Sequence, residues 1–170
     1  MARIYISLGT NIEPVEHMQS GLVDLHQHFG KLTLSRMFES EAVGFQGTNF
    51  LNMVAAADTD MSIENVVATF KRIEKQNGRI RGEKKFSPRS LDIDLLLYDD
   101  EVCYQPIELP RGEILYNAFV LWPLAEIAPK LAHPITLQSY QHLWEKYDKS
   151  SQNIWPIEFE FPPSVSTENS

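Results

Sequence analysis

Apolar and polar residues alternate with two distinct periods along the chain, and these periods predict a series of strands and helices. A period of two residues is typical of a strand with one buried face, and apolar residues three or four apart are typical of an amphipathic helix. The predicted elements, in order, are a strand at residues 3–8, a helix at 14–29, strands at 31–38 and 50–58, a helix at 62–77 and a nearly continuous apolar strand at 92–98.

The ends of both predicted helices carry the residues that start and stop helices. Pro14 suits the first turn of the first helix, and Gly30 follows its last apolar residue. Ser62 can cap the second helix, which Gly78 ends. Strand–helix–strand–strand–helix–strand is the order of the split βαβ plan. We therefore predict an α+β, ferredoxin-like fold with an antiparallel sheet, helices packed on one face, and extra short elements towards the C-terminus.

The later part of the chain predicts shorter elements and one compositional boundary. Residues 101–109 are typical of an edge segment limited by prolines, residues 117–127 form an apolar block, and residues 138–147 predict a short helix. From residue 149 onward Pro, Ser and acidic residues dominate. We expect one domain at residues 1–148 and a loosely ordered tail at residues 149–170.

Charge is distributed unevenly over an acidic chain. The formal net charge of the 170 residues is −8, which argues against a general nucleic-acid binder. About half of the 15 Lys and Arg residues nevertheless fall within residues 71–89. A local cluster of cations on an acidic protein favours a small polyphosphate ligand over a polymer. The single Cys103 and the lack of a signal peptide or a membrane-spanning run predict a cytoplasmic protein without a membrane partner.

Two carboxylates stand at alternate positions of the predicted fourth strand. Asp92 and Asp94 would share one face of that strand while Ile93 enters the core. Neighbouring carboxylates repel each other unless a cation lies between them, and oxygen ligands without Cys or clustered His favour Mg²⁺ over zinc. With the cations just upstream, the pair predicts a Mg²⁺ site that receives a substrate carrying several phosphates.

Other candidates have an ordinary structural interpretation beside the functional one. Phe50 and Asn52 would point the same way and could stack on and pair with a flat heterocycle, or serve as a core aromatic residue and a loop amide. Lys71 and Glu74 could reach a ligand at the following loop, or form a solvated pair. His17 and its neighbouring histidines on the first helix are interpreted as solvated or rim residues.

Several segments resemble one enzyme family. FSPRSLDIDLLLY, GRIRGEK, FLNMVAA, FVLWPLAEIAP and the initial IYISLGTN are similar to the 6-hydroxymethyl-7,8-dihydropterin pyrophosphokinases of folate biosynthesis, from about residue 4 to residue 133. The resemblance implies a ferredoxin-like, generally monomeric enzyme. It also implies ATP and the pterin as small-molecule substrates, transfer of a diphosphoryl group to the pterin hydroxymethyl oxygen, release of AMP, and two Mg²⁺ ions.

The resemblance also implies roles for individual residues. Asp92 and Asp94 would hold both Mg²⁺ ions, and a loop at residues 78–90 would close over ATP. The residues implied to bind substrates or to stabilise the transferred phosphates are Phe50 and Phe119 around the pterin ring, Asn52 at its edge, backbone groups near Ser40 and Val43, Arg81 and Arg89 at the phosphates, and Lys71, Glu74, Arg79, Phe86 and Arg111 on the nucleotide side.

Several positions depart from the family pattern and leave alternatives open. Arg111 replaces a usual His, Asn117 a usual Arg, Ser40-Glu41 a usual Thr-Pro, and Phe50 a common Tyr. The first hypothesis is an active diphosphotransferase. The second is a catalytically weakened or repurposed paralogue that binds a pterin or a nucleotide, and the third is a transferase for another hydroxylated heterocycle. A structural adaptor would give no reason for paired carboxylates facing a cation cluster.

Overall fold

The computed structural model describes residues 1–41, 49–80 and 91–165, with residues 79 and 80 described by their backbone alone. The described elements are β1 (Ala2–Thr10), α1 (Pro14–Phe29), β2 (Thr33–Leu34), β3 (Met37–Ser40), β4 (Phe50–Thr59), α2 (Ile63–Ile80), β5 (Asp92–Tyr98), α3 (Ala118–Ile127), α4 (Tyr140–Lys146) and β6 (Ile154–Ile157), with short 3-10 turns at Gly112–Leu115, Lys149–Ser151 and Pro163–Val165.

The strands form one antiparallel sheet in the order β5-β1-β4-β3-β6, and β2 also pairs with β4. The predicted α+β architecture is confirmed. The single strand predicted at residues 31–38 is divided into β2 and β3 at Ser35. Its hydroxyl accepts a hydrogen bond from the Val54 N–H at 3.0 Å, and its own N–H donates to the Val54 carbonyl at 2.9 Å. The side chain of Ser35 thus replaces one step of the backbone ladder.

The prediction that helices pack on one face holds for α1 and α2, whereas α3 and α4 lie on the opposite face. Residues such as Ile6, Met53 and Leu95 form the core beneath α1 and α2. Val54 and Leu96 belong to a second core with α3 and α4. The block at residues 117–127 forms α3, which is apolar on all sides. A helix of this composition is buried against the sheet and is not exposed to solvent.

A β-bulge in β5 separates its two halves. The pairing with β1 shifts between Tyr5 and Ile6, which leaves Leu96 as the extra residue. Before the bulge, Ile93 and Leu95 are buried on the α1–α2 side and the two aspartates point to the other side. After it, Leu97 also belongs to the second core. The expected edge segment at residues 101–109 is reduced to a bridge between Cys103 and Leu109.

The expectation of a loosely ordered tail from residue 149 does not match the structure at residues 149–165. β6 pairs with β3 at the edge of the sheet, and Val165 is buried in the main core. The average composition of this segment was misleading because apolar residues are interspersed with its acidic and proline residues. A few apolar side chains that face the core are enough for a half-buried edge strand.

His17 is also buried rather than solvated, with 1% of its surface exposed. Its Nδ1 lies 2.5 Å from the Ile12 carbonyl oxygen and ties the turn after β1 to α1. In the described ranges, every helix is too short or too polar to cross a membrane.

Protonation of His133 is expected to destabilise the fold below neutral pH. His133 is buried, its Nδ1 accepts hydrogen bonds from the backbone N–H groups of Ile135 and Thr136 at 3.1 and 3.2 Å, and burial lowers its pKa below the ordinary value of 6.5. The unfolded chain therefore takes up the proton first, so the free energy of unfolding should fall as the pH drops below 6.5 and level off below the pKa of His133 in the folded protein.

His133→Asn keeps an acceptor near the Nδ1 position without a titrating group. In chemical denaturation from pH 8 to pH 5, this variant should show a shallower loss of stability than the unsubstituted protein, and equal slopes would contradict the prediction.

Candidate active site

One cavity lies on the sheet face covered by α3, and we call it the central pocket. It has a volume of about 320 Å³, which suits a small bicyclic molecule. Its walls are formed by Ser7, Gly9, Ser40, Glu41, Phe50, Asn52, Asp92, Asp94, Glu113, Phe119 and Val120. The structure thus brings together the predicted metal residues and the predicted heterocycle residues.

Strand register explains this assembly. Gly9 of β1 pairs with Asn52 of β4 on one side and with Asp92 of β5 on the other. Ser7 lies opposite Asp94 in the same way. Adjacent strands are about 4.8 Å apart, so the aspartates and Asn52 are separated by roughly 10 Å across the small residues of β1. A flat molecule seated at Asn52 can therefore extend a substituent towards the aspartates.

The β4 side of the central pocket is polar and fixed. Asn52 is 5% exposed, and its amide group donates a hydrogen bond to the Ser40 hydroxyl at 2.9 Å. Phe50 follows the same face of β4, and Phe119 reaches the pocket from the first turn of α3. An aromatic ring from each of two elements beside an oriented amide can stack on a heterocycle and bond its edge.

The lack of a side chain at Gly9 leaves space for the Asn52 amide. A Cβ atom at position 9 would lie 3.1 Å from Asn52 Oδ1, so Gly9→Ala should push the amide by a few tenths of an ångström. We expect this variant to weaken binding of the heterocycle by about tenfold, because hydrogen bonds of a buried amide depend steeply on geometry. Calorimetry measures the effect, and nucleotide binding by the same variant is the internal control. Equal loss for both ligands would instead indicate general damage to the sheet.

The aspartates are suited to a hard cation. Asp92 and Asp94 both line the central pocket, and 38% of the Asp94 side chain is exposed. In the part of the chain that the structure describes, no cluster of three or more His, Cys, Asp or Glu residues forms a complete metal cage. Two neighbouring carboxylates fit Mg²⁺, which commonly binds one or two carboxylates, waters and substrate phosphates.

A second cavity, which we call the side pocket, runs along the outer edge of β5, the last strand of the sheet. Lys71, Glu74 and Arg111 are among its lining residues, and Asp94 lines both pockets. The predicted nucleotide-side residues that the structure describes are therefore next to the predicted metal pair. Glu74 is not a solvated partner of Lys71: it is 8% exposed, and its carboxylate accepts the Ile93 N–H at 2.8 Å, which fixes β5 between the aspartates.

Arg111 connects the side pocket to the central pocket. Its Nε donates to Glu113 Oε1 at 2.7 Å, and its Nη2 lies 3.6 Å from Asp94 Oδ1. Burial alone would lower the pKa of Arg111, but the carboxylates of Asp94 and Glu113 together outweigh burial and raise it above the ordinary value. Asn117, another departure from the family pattern, donates to Glu113 Oε2 at 2.8 Å. Glu113 thus contacts two of the unusual positions, Arg111 and Asn117.

Five predicted site residues cannot be placed. Val43, Arg81, Phe86 and Arg89 lie outside the described residues, and the side chain of Arg79 does as well.

Sequence reasoning missed two polar residues that line the central pocket, Ser7 and Glu113, and also Gln152, which bonds to Asn117 and Ala118 at the start of α3. Ser7 could have been found from strand alternation, because it shares a face of β1 with Gly9. Glu113 had no local signal, since its 3-10 turn is irregular. Gln152 lies in the segment that was expected to be loose.

Comparison with known proteins gives a consistent result. A family model described as 7,8-dihydro-6-hydroxymethylpterin-pyrophosphokinase matches residues 5–129. The chain is 34% identical over 138 residues to a 2-amino-4-hydroxy-6-hydroxymethyldihydropteridine pyrophosphokinase of Aquifex aeolicus, covering 79% of this chain and 86% of that protein. The enzyme of the same name from Pseudomonas aeruginosa is also 34% identical over 138 residues, with 78% and 84% covered.

Solved structures show the same fold. A Plasmodium falciparum HPPK-DHPS triple mutant with pteroate aligns with a TM-score of 0.71 at 12% identity, covering 88% of this chain. The chain spans 44% of the length of that solved chain.

Proposed function

The chain belongs to the 7,8-dihydro-6-hydroxymethylpterin-pyrophosphokinase family, and on this premise we propose that it transfers the diphosphoryl group of ATP to 6-hydroxymethyl-7,8-dihydropterin, releasing AMP, in folate biosynthesis. The observation that carries the proposal is the position of Asp94, which lines both the central pocket and the side pocket. A group transferred between ligands in these two cavities would pass this carboxylate.

The pterin occupies the central pocket in this proposal. Phe50 and Phe119 hold its ring by stacking, and Asn52, fixed by Ser40, bonds the ring edge. This pose directs the hydroxymethyl substituent across β1 towards Asp92 and Asp94. Val43 is proposed to contribute a backbone contact to the same ligand.

ATP binds along the outer edge of β5. Lys71 and Arg111 line the side pocket and supply positive charge for phosphates. Asp92 and Asp94 would hold Mg²⁺, which when bound supplies charge neutralisation for the phosphate oxygens. Arg81 and Arg89 are proposed to stabilise the charge that develops on the transferred phosphates, and Arg79, Phe86 and Glu74 to complete the nucleotide side.

The bond changes follow from the two poses. The hydroxymethyl oxygen forms a bond to the β-phosphorus of ATP and releases its proton to solvent, and the bond from that phosphorus to the oxygen shared with the α-phosphate breaks. AMP leaves with that oxygen. The role of the protein is to align the two substrates and to keep water from the phosphorus.

Release of AMP tests the proposal. The protein is incubated with ATP, Mg²⁺ and the dihydropterin, and AMP and the pterin diphosphate are both quantified. We expect AMP in equal amount to the pterin diphosphate and well above the rate of Asp92→Ala. AMP formation no faster than in that variant would overturn the proposal.

A second candidate function is a paralogue that binds pterin or nucleotide with weakened catalysis. Two observations favour it. Asn117 stands in place of a cation and donates a hydrogen bond to Glu113. Four carboxylates line the central pocket: Glu41, Asp92, Asp94 and Glu113. Calorimetry distinguishes the two functions, since tight pterin binding without turnover is expected only of the paralogue.

Neutralising Glu113 should strengthen ATP binding. Arg111 is held between two carboxylates, and phosphates must compete with them for its charge. Glu113→Gln keeps a hydrogen-bond acceptor but removes one charge, so we expect the KM for ATP to fall by about threefold to tenfold. Glu126→Gln is the matched control, because Glu126 accepts from Arg36 Nε at the same 2.7 Å away from both pockets. An unchanged or higher KM would contradict the assigned role of Arg111.

A monomeric state and a cytoplasmic location stay predictions. Size-exclusion chromatography with light scattering tests the first of them.

A further inference from the structure

A short segment that follows α4 contacts both walls of the central pocket. It comprises residues 147–154, which lie beyond the part of the chain that the family model matches. Its two central residues, Gln152 and Asn153, are adjacent in sequence but contact different walls.

Gln152 holds the wall that carries Phe119. Its Oε1 accepts the Ala118 N–H at 2.6 Å, and its Nε2 donates to Asn117 Oδ1 at 3.3 Å. The side chain of Gln152 therefore satisfies the first N–H of α3, a position where a helix needs an acceptor from outside. Tyr147 lies with its hydroxyl 2.9 Å from Gln152 Oε1 and restrains the amide.

Asn153 and Ile154 contact the opposite wall of the central pocket, which is formed by Ser40 and Glu41. The Asn153 carbonyl accepts the Glu41 N–H at 3.2 Å, and its side-chain amide donates to the Glu41 carboxylate. Ile154 then pairs with Ser40 as β6 begins. Ser40 and Glu41 both line the central pocket. The side-chain contact of Asn153 is exposed and so contributes less than the half-buried Gln152.

Consecutive residues of an extended chain are separated by a fixed distance of about 3.8 Å between Cα atoms. A chain anchored at Ala118 through Gln152 and at Glu41 through Asn153 therefore sets the separation of the two walls. Stacking and edge bonding depend on that separation, because both lose strength within a few tenths of an ångström.

We propose that Gln152 is a positioning residue for the acceptor heterocycle: it fixes the start of α3, and with it Phe119, against the wall formed by Ser40 and Glu41. The inference rests on the proposed function, because it takes the ligand of the central pocket to be the dihydropterin. It adds a determinant of pterin affinity that lies outside the matched residues 5–129.

The experiment compares Gln152→Ala, Gln152→Glu and Gln141→Ala in the full chain. Gln152→Ala removes the acceptor of the Ala118 N–H. Gln152→Glu keeps that acceptor, replaces the donor to Asn117 with a second acceptor oxygen, and adds a negative charge. Gln141 is exposed on α4 and is not among the residues that line the central pocket, so its replacement is the matched control. Calorimetry gives the Kd for dihydropterin and for Mg-ATP, and hydrogen exchange by NMR reports on the Ala118 amide.

We expect Gln152→Ala to raise the Kd and KM for dihydropterin by about tenfold, with faster exchange of the Ala118 amide, while the Kd for Mg-ATP and kcat change less than about twofold. Gln152→Glu should retain the pterin affinity and the slow exchange of the Ala118 amide. Gln141→Ala should match the unsubstituted protein in both measurements.

Three results would overturn the inference. These are an unchanged pterin Kd in Gln152→Ala, an equal loss of pterin and Mg-ATP affinity, or failure of Gln152→Glu to restore pterin binding. A failure of the proposed function is distinguished from these because it shows in the unsubstituted protein, as pterin binding without formation of AMP.

Discussion

Asp94→Asn is expected to lower kcat by about a thousandfold while leaving thermal stability almost unchanged. The carboxylate lines both pockets, so in the proposed function its charge would act on both substrates and on a bound cation. Its ion pair with a neighbouring side chain contributes little to stability by comparison. The ion pair with Arg111 is long, at 3.6 Å, and about a third of each side chain is exposed, so its loss should cost no more than about 1 kcal/mol. Removing one of two neighbouring carboxylates also relieves repulsion with Asp92.

The measurement combines AMP release with thermal denaturation of the protein without ligands. Asp58→Asn is the matched control, because Asp58 is another sheet aspartate with a long, exposed ion pair, to Arg3 at 3.4 Å. Both variants should melt within a few degrees of the unsubstituted protein, and only Asp94→Asn should lose turnover. A large fall in melting temperature for Asp94→Asn, or retained turnover, would remove the basis for placing the metal at Asp94.

Asn52→Ala is expected to weaken dihydropterin binding by about a hundredfold and to leave Mg-ATP binding within twofold. Asn52 is buried and already oriented by Ser40, so its amide presents hydrogen-bonding groups to the ligand at little entropic cost. Its removal would leave polar groups of the proposed ligand without partners in the central pocket, which costs more than the loss of one exposed hydrogen bond.

Calorimetry with each ligand separately measures the two affinities for Asn52→Ala. Asn65→Ala is the control, since Asn65 is exposed on α2. Equal weakening of both ligands, or an unaltered pterin Kd, would exclude Asn52 as the residue that reads the heterocycle edge.

The sequence predicted the parts of the fold whose side chains repeat regularly. Alternation placed Asp92, Asp94, Phe50 and Asn52 on faces that the structure confirms, because the period of a strand fixes the direction of each side chain. The ends of α1 at Pro14 and Gly30 were predictable because proline and glycine act locally at helix ends. The predicted end of the second helix at Gly78 is wrong, because α2 continues to Ile80.

Contacts between distant segments were not predictable in this way. The bond from Glu74 to the Ile93 N–H depends on how α2 packs on β5, and the bonds of Gln152 depend on where β6 joins the sheet. Neither contact leaves a periodic trace in the local sequence. The same reason explains why the segment from residue 149 was misjudged: composition reports average polarity, whereas edge-strand pairing depends on which alternate residues face inward.

The two margins of the sheet have a further consequence for how copies of this chain behave at high concentration. Among the described strands, β6 is the outermost on one side of the sheet, and Pro156 within it has no N–H group to donate to another strand. On the other side, the Arg111 N–H donates to the Leu96 carbonyl at 3.0 Å and so occupies part of the outer margin of β5. Edge strands whose hydrogen-bonding groups are missing or already occupied disfavour aggregation by strand pairing between molecules. The C-terminal segment would then protect the protein from self-association as well as shape its pocket.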